Sequence, residues 1–592
     1  MERKERIISD FSAAVLEKDR ISTVPAADRW EVVPFETAAA GGSMLFAGPK
    51  EYPAPVTVAP ELTGWYRIYV CLGAFNGSWN SRVDLQLSGD EFATTARCCD
   101  IQPYTRWKHF EWVEESFWKA ADLTGRTLTI RKNDDGTPNT SCVLWLRFVP
   151  MTEDEIAAHT ARLADNSRRT MLAHVDMDYF GFDMAREPHD YCKVLYALKE
   201  SDVEILSQEI SNDLTDFSKT DVFMRDPGDC GRNAYQKLFD EQKAAIYKEQ
   251  LAYAHANGMK MYAAARMGVS SFCFPYDKPY FDCAFADSHP EWRCVSRDGF
   301  VVDTLSYAYP QVQDFMVEHL AQGIRYGFDG VTLLFSRGMA VMFEQPVLDR
   351  FAEKYGSEVD CCRLLLDDPR LTGVWSDIMT EFMRKLRRKL NDVAAADGRP
   401  SPGIFVTNCH AVADGLRQGV DVERWAREGL ITGVVQTNMT IWEDLSLPGI
   451  LAPDGLIDLD AYTRLADSEY VIKRTHGNDP ALTQAGLPAY RRLADTYDLR
   501  LFSELQWENT VKPEDYLAAA KGIYRNGGQS IGLWDCYPPR VFVLSEWDCV
   551  SRLGNAQQTL ALPEDPAHWH RIHKILSYKG MDIRHASANW RG

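Results

Sequence analysis

Acids, amides and arginines recur at one kind of place in this sequence, the end of a short apolar run. His174, Asp176 and Asp178 close TMLAHVDMD, and Glu209 closes VEILSQEI with Asn212 just beyond. Arg266 ends KMYAAARMG, and Arg337 ends VTLLFSRG with Glu344 a few residues later. Asn408 and His410 end GIFVTNCH, and Gln436 and Asn438 end ITGVVQTN. Glu504 and Glu508 lie in LRLFSELQWE, and Trp534 and Asp535 lie in QSIGLWDCY. Carboxyl groups that face each other across one bond can cleave a glycoside, one as acid and the other as nucleophile or base. Amides, arginines and a flat indole beside them suit a hydroxyl-rich ligand. The expected activity is therefore glycoside hydrolysis on an oligosaccharide or glycoside.

Glu504 is the only acid in the run LRLFSEL and is the expected catalytic carboxylate, with Glu344 as its partner and Asp176 in reserve. Asp178, Glu209, Arg266, Arg337, Asn408, His410, Gln436, Asn438, Trp534 and Asp535 are the expected substrate-binding groups. Asp176 and Asp178, two apart, share a face with His174 for as long as the strand lasts. Each residue also has a purely structural reading. Glu504 could form a salt bridge, and Glu344 could sit at the start of the helix EQPVLDRFAEKYG, where a carboxylate is favourable anyway. Arg266 and Arg337 either clamp a carboxylate on an acidic sugar or neutralise the acids around them. His174 and His410 are acid–base groups or hydrogen-bonded spacers.

Two other readings compete. A metal-dependent hydrolase of the amidohydrolase type would use His174, Asp176, His410 and Asp535, although the first run has no His-x-His pair. A non-catalytic sugar-binding barrel would bind the same ligands without turnover. The two-carboxylate route needs no cofactor and no metal.

These residues must be positioned by the elements that carry them. From Thr170 onward, eight apolar runs alternate with amphipathic helical stretches, which predicts a (β/α)8 TIM barrel enlarged by loop insertions. All strands of such a barrel end at one face, so the residues named above converge there. An open doubly wound sheet is the alternative. A ninth candidate strand, EYVIKRTHG from Glu469, is assigned to an insertion before the seventh strand.

Residues 1–152 read differently. WYRIYVCLG, RVDLQLSG, RTLTIRK and SCVLWLRFVP alternate with period two between Gly, Asn, Asp and Pro turns, predicting an antiparallel β-sandwich. Trp65, Trp79, Trp107, Trp112, Trp118 and Trp145 either fill its core or stack on sugar rings, as in a carbohydrate-binding module. Residues 153–169 read as a helical linker and 170–592 as the catalytic barrel.

The formal net charge of −20 over 592 residues argues against sequence-independent nucleic-acid binding, which depends on Lys and Arg neutralising phosphates. No run reaches the ~18 apolar residues of a membrane span, and the amino terminus carries no signal-length apolar core, so a cytoplasmic protein is expected. A homo-oligomer is left open. The fourteen cysteines include the adjacent pairs Cys98-Cys99 and Cys361-Cys362 but no C-x-x-C, which reads as scattered buried thiols.

Two elements carry a family resemblance. Tyr326-Gly327-Phe328-Asp329-Gly330-Val331 opens the fourth strand, and the helix end at Tyr524–Gly528 leads into a strand closing in Trp534-Asp535. With these, residues from about Thr170 to Asp535 resemble uncharacterised bacterial glycosyl-hydrolase-like barrel families. The resemblance implies a barrel glycosidase with the sandwich as an accessory module. Such relatives commonly place an acid within strand four, where this chain has Leu333 and Leu334, so Glu344 stands in as a substitute.

Overall fold

The computed structural model describes residues 4–73, 82–98, 112–133, 139–175, 185–210, 230–268, 284–335, 339–437, 439–466, 472–476, 480–505, 512–534, 536 and 542–582. Eight parallel strands close into a barrel. In order they are Met171–Val175, Val203–Glu209, Lys260–Arg266, Gly330–Leu334, Gly403–Asn408, Gly433–Gln436, Arg500–Leu505 and Ser530–Leu533, hereafter strands one to eight. Strand eight pairs with strand one, placing Gly532 opposite Leu172, so the ring has no free edge. The candidate Ile472–His476 pairs instead with Met439–Glu443 in a separate two-stranded sheet, outside the ring.

Period-two alternation divides every strand between the barrel interior and the surrounding helices. Met171, Ala173, Val331, Leu333, Val406 and Leu501 join the large core beneath the helices. Leu172, Ile205, Tyr262, Phe405, Val435 and Phe502 form a separate cluster inside the barrel. The Tyr262 and Phe405 rings lie 4.7 Å apart and those of Phe405 and Phe502 lie 5.4 Å apart. Glycine at 403 makes room for them, since a Cβ there would fall onto the Tyr262 hydroxyl. Further along the strands, the interior changes character. Ser207, Thr332, His174, Thr407 and Glu504 stand where a barrel is usually filled by branched apolar side chains.

The helix Pro310–Tyr326 shows how the sequence builds one unit. Pro310 starts it with a fixed φ and no orphaned N–H, and Val312, Met316, Leu320 and Ile324 make its buried stripe. Gly327 ends it at φ 108°, a left-handed cap that glycine tolerates best, and strand four begins at Gly330.

Outside the barrel lie a nine-stranded and a four-stranded sheet. Leu45, Ile68, Val70, Leu146 and Phe148 of the first share a core with Val56, Leu85, Leu87, Leu128 and Ile130 of the second. Trp118 and Trp145 are buried, the Trp145 Nε1–H donating to Glu115 at 2.7 Å, while Trp65 and Trp112 are half-buried. Trp79 and Trp107 lie outside the described residues. Residues Glu153–Ala164 form the linking helix, started by a capping box between Thr152 and Glu155.

The expected barrel boundary at 592 is corrected by the carboxyl-terminal strand. His570–Tyr578 pairs antiparallel with Trp112–Asp122 and with Trp30–Thr37, so the chain returns to the sheet it began in. That return is sealed against the barrel by buried polar groups. Glu114 accepts from Ser545 Oγ at 2.6 Å and lies 3.0 Å from His570 Nδ1. Burial pushes the neighbouring Glu546 up to about 8. Among the described residues no helix is long and apolar enough to cross a membrane.

Candidate active site

A cavity lies inside the barrel toward the carboxyl ends of its strands. Its walls include His174 of strand one, Ser207 of strand two, Thr332 and Leu334 of strand four, and Thr407 of strand five. Glu504 of strand seven and Gly532 of strand eight complete it, with Trp534 just beyond strand eight. Glu504 is 3% exposed, so its carboxylate belongs to the barrel interior.

The His174 ring organises one side. It stacks on Trp534 with ring centres 4.2 Å apart and planes 28° from parallel. Its Nδ1 lies 3.5 Å from Ser207 Oγ, and its Nε2 lies 3.4 Å from Glu209 Oε1. The same oxygen of Glu209 is 3.0 Å from the Arg266 guanidinium. All three side chains are buried. Alternation explains the grouping: Ser207 faces the cavity, so Glu209, two residues on, faces inward as well. Arg266 is thus ion-paired to Glu209, and the His174 ring is held between Ser207, Glu209 and Trp534.

Three other expected site residues are placed elsewhere. Thr407 and Val435 turn inward, so Asn408 and Gln436 turn outward. Asn408 donates to the Val412 carbonyl at 3.2 Å and to Tyr490 Oη at 2.7 Å. Gln436 donates at 2.9 Å to each of the His410 and Thr483 carbonyls and accepts from Ser503 at 3.0 Å. The His410 ring lies against Thr483, with Nδ1 3.3 Å from its hydroxyl. These groups brace the strands against the helix Pro480–Tyr497.

Glu344 is likewise corrected. It does not line the cavity with Glu504, nor does its carboxylate cap the helix Gln345–Tyr355 that follows it. It accepts from Ser306 Oγ, from Met342 N–H at 3.2 Å and from Val295 N–H at 3.3 Å. Burial pushes its carboxyl above the usual range, although those hydrogen bonds pull it down. It anchors the loops after strands three and four. Asp176, Asp178, Arg337, Asn438 and Asp535 lie outside the described residues. So do two of the four ligands of the amidohydrolase reading, Asp176 and Asp535, and His410 faces Thr483.

One feature of the mouth was not read from the sequence. Insertions after strands three, four and six interlock into a wall. The Arg297 guanidinium, in the turn between Arg293–Val295 and Val301–Leu305, pairs with Glu443. It also donates to the Cys362 and Leu364 carbonyls at 2.6 and 2.8 Å. Glu443 in turn accepts from Leu366 N–H at 2.9 Å, and Thr463 Oγ1 reaches Asp298 at 3.3 Å. The partners lie 146 residues apart in sequence, so no local signal links them.

No family model matches the chain, and no curated protein matches it. Solved structures do match. The PgaB glycoside hydrolase domain from Bordetella bronchiseptica is 10% identical with a TM-score of 0.37, over 65% of this chain and 98% of that one. The catalytic domain of beta-amylase from Paenibacillus polymyxa is 11% identical with a TM-score of 0.34, over 66% and 96%. The alpha-galactosidase from Thermus thermophilus is 10% identical with a TM-score of 0.31, over 89% and 95%. Likeness at these values assigns no function.

Proposed function

We propose that this chain is a glycoside hydrolase acting on an oligosaccharide or glycoside through carboxylates at the carboxyl-terminal face of the barrel. The observation that carries the reading is the pair of inward-facing acids, Glu504 on strand seven and Glu209 on strand two, with Trp534 and His174 stacked on the strands between them. Glu504 is the group that exchanges a proton with the glycosidic oxygen. Glu209, paired with Arg266 and close to His174 Nε2, holds the ring that flanks the cavity. The nine-stranded and four-stranded sheets are a sandwich-type accessory module.

The test is turnover of a panel of aryl glycosides by the full chain and by Glu504→Gln, Glu209→Gln and Asp176→Asn. Each amide keeps shape while removing the ionisable group. Glu504→Gln should lose about 10²-fold or more while keeping its melting temperature. Full activity in Glu504→Gln removes it from the mechanism. Binding of oligosaccharides without turnover by the unaltered protein would instead support the sugar-binding barrel.

A further inference from the structure

The wall beside the mouth rests on a turn with two adjacent thiols. Cys361–Arg363 forms a single 3-10 turn between the helices Gln345–Tyr355 and Pro369–Ala396. The peptide joining the two cysteines is tied at both ends. Its N–H, on Cys362, donates to Asp360 Oδ1 at 3.0 Å, and its carbonyl, on Cys361, accepts from Leu364 N–H at 3.2 Å. The Cys362 and Leu364 carbonyls seat Arg297, whose side chain is fully buried against Glu443. The thiols differ in access: Cys361 is buried, and Cys362 is the one described cysteine that is partly exposed. Access sets the order of reaction, since an oxidant meets the partly exposed Cys362 sulfur before the buried Cys361.

We propose that Cys361 and Cys362 are a redox modification site at which a hydroperoxide closes a reversible disulfide that unseats Arg297 and loosens the wall. The Cys362 thiolate attacks the peroxide, the O–O bond breaks, and Cys362 becomes a sulfenic acid as one oxygen leaves as an alcohol or water. The Cys361 sulfur then attacks the Cys362 sulfur, the S–O bond breaks, and that oxygen leaves as water with the remaining proton. Two thiol hydrogens are lost, the sulfurs are oxidised, and the peroxide is reduced.

The consequence follows from chain geometry. Adjacent Cα atoms are held about 3.8 Å apart by a trans peptide, below the roughly 4.4–6.8 Å of relaxed disulfides. The closed ring is therefore strained and readily reduced again. The strain falls on the 361–362 peptide, the one whose two hydrogen bonds shape the turn that presents carbonyls to Arg297.

The experiment treats the full chain with hydrogen peroxide, alkylates free thiols, and maps peptides by mass beside amide hydrogen exchange. The peptide holding both cysteines should lose two hydrogens and resist alkylation until dithiothreitol is added. The Leu366 amide, which donates to Glu443, should exchange about tenfold faster when oxidised and recover on reduction. Cys362→Ser should show neither change, and Cys362→Ala serves with the same expectation if the serine variant folds poorly. Thiols that stay alkylatable, or go on to sulfinic acid without pairing, overturn the proposal. So does a disulfide that leaves Leu366 exchange unaltered. None of these readouts depends on glycoside turnover.

Discussion

The two halves of the barrel mouth carry their buried acids on different elements. On the side of strands seven, eight, one and two, Glu504 and Glu209 project from the strands themselves into the interior beside His174 and Trp534. On the side of strands three to six, Glu344 and Glu443 arrive on insertions and are taken up by the protein. Burial pushes both of the latter above the usual carboxylate range. A raised acid near a mouth is thus not by itself a catalytic acid, because structural networks perturb acids too. What separates the halves is the element that carries the acid: the Glu344 oxygens accept backbone and serine hydrogens among the loops, whereas Glu504 stands on a strand and lines the cavity.

The sharpest way to break this comparison is to remove the wall's cation. Arg297→Ala leaves Glu443 buried without its counter-charge and two carbonyls without their donor. The expected loss is about 3–5 kcal/mol of unfolding free energy, read from urea denaturation. A loss below about 1 kcal/mol would mean that other contacts hold the insertions.

A smaller effect separates the halves by function. Glu504→Gln should lower turnover about 10²-fold, equivalent to about 2.7 kcal/mol, at nearly unchanged stability. Glu344→Gln should leave turnover within about twofold, since its carboxylate lies outside the cavity. Equal losses in the two variants would erase the functional distinction between the two sides.

The sequence showed the strands better than their faces. All eight runs became barrel strands, because buried parallel strands read as continuous apolar segments. The same continuity hides which side is inside. GIFVTNCH is buried on both faces, so nothing in it says that Thr407 points inward and Asn408 outward. A one-residue error in parity moved Asn408 and Gln436 from the helix side to the cavity. Glu209 and Arg266 were placed correctly at the strand ends, but their mutual ion pair needed coordinates. The strand His570–Tyr578 was missed because its partners lie about 450 residues earlier, for example Ser116 opposite His570.

The smallest effect concerns the pH dependence that Glu344 imposes on folding. Burial disfavours its charge, and the hydrogen bonds from Ser306, Met342 and Val295 recover only part of that, so the folded carboxyl is raised above the ordinary value of 4.5. Between 4.5 and the raised value, the folded protein binds a proton that the unfolded chain has released. Stability must therefore fall as pH rises through that window, with the favourable contribution complete below it. Glu344→Gln cannot titrate. Its carbonyl can still accept one backbone hydrogen, and its amide can turn toward the Ser306 hydroxyl, so the cost at low pH should be about 1 kcal/mol. The two proteins should converge as pH rises, because only the parent continues to lose stability from this group. Glu443, raised by burial in the same direction, leaves a residual slope in both. Urea midpoints at a series of pH values from about 4 upward measure the difference. Parallel curves for parent and variant would show that Glu344 is charged at no net expense to the fold.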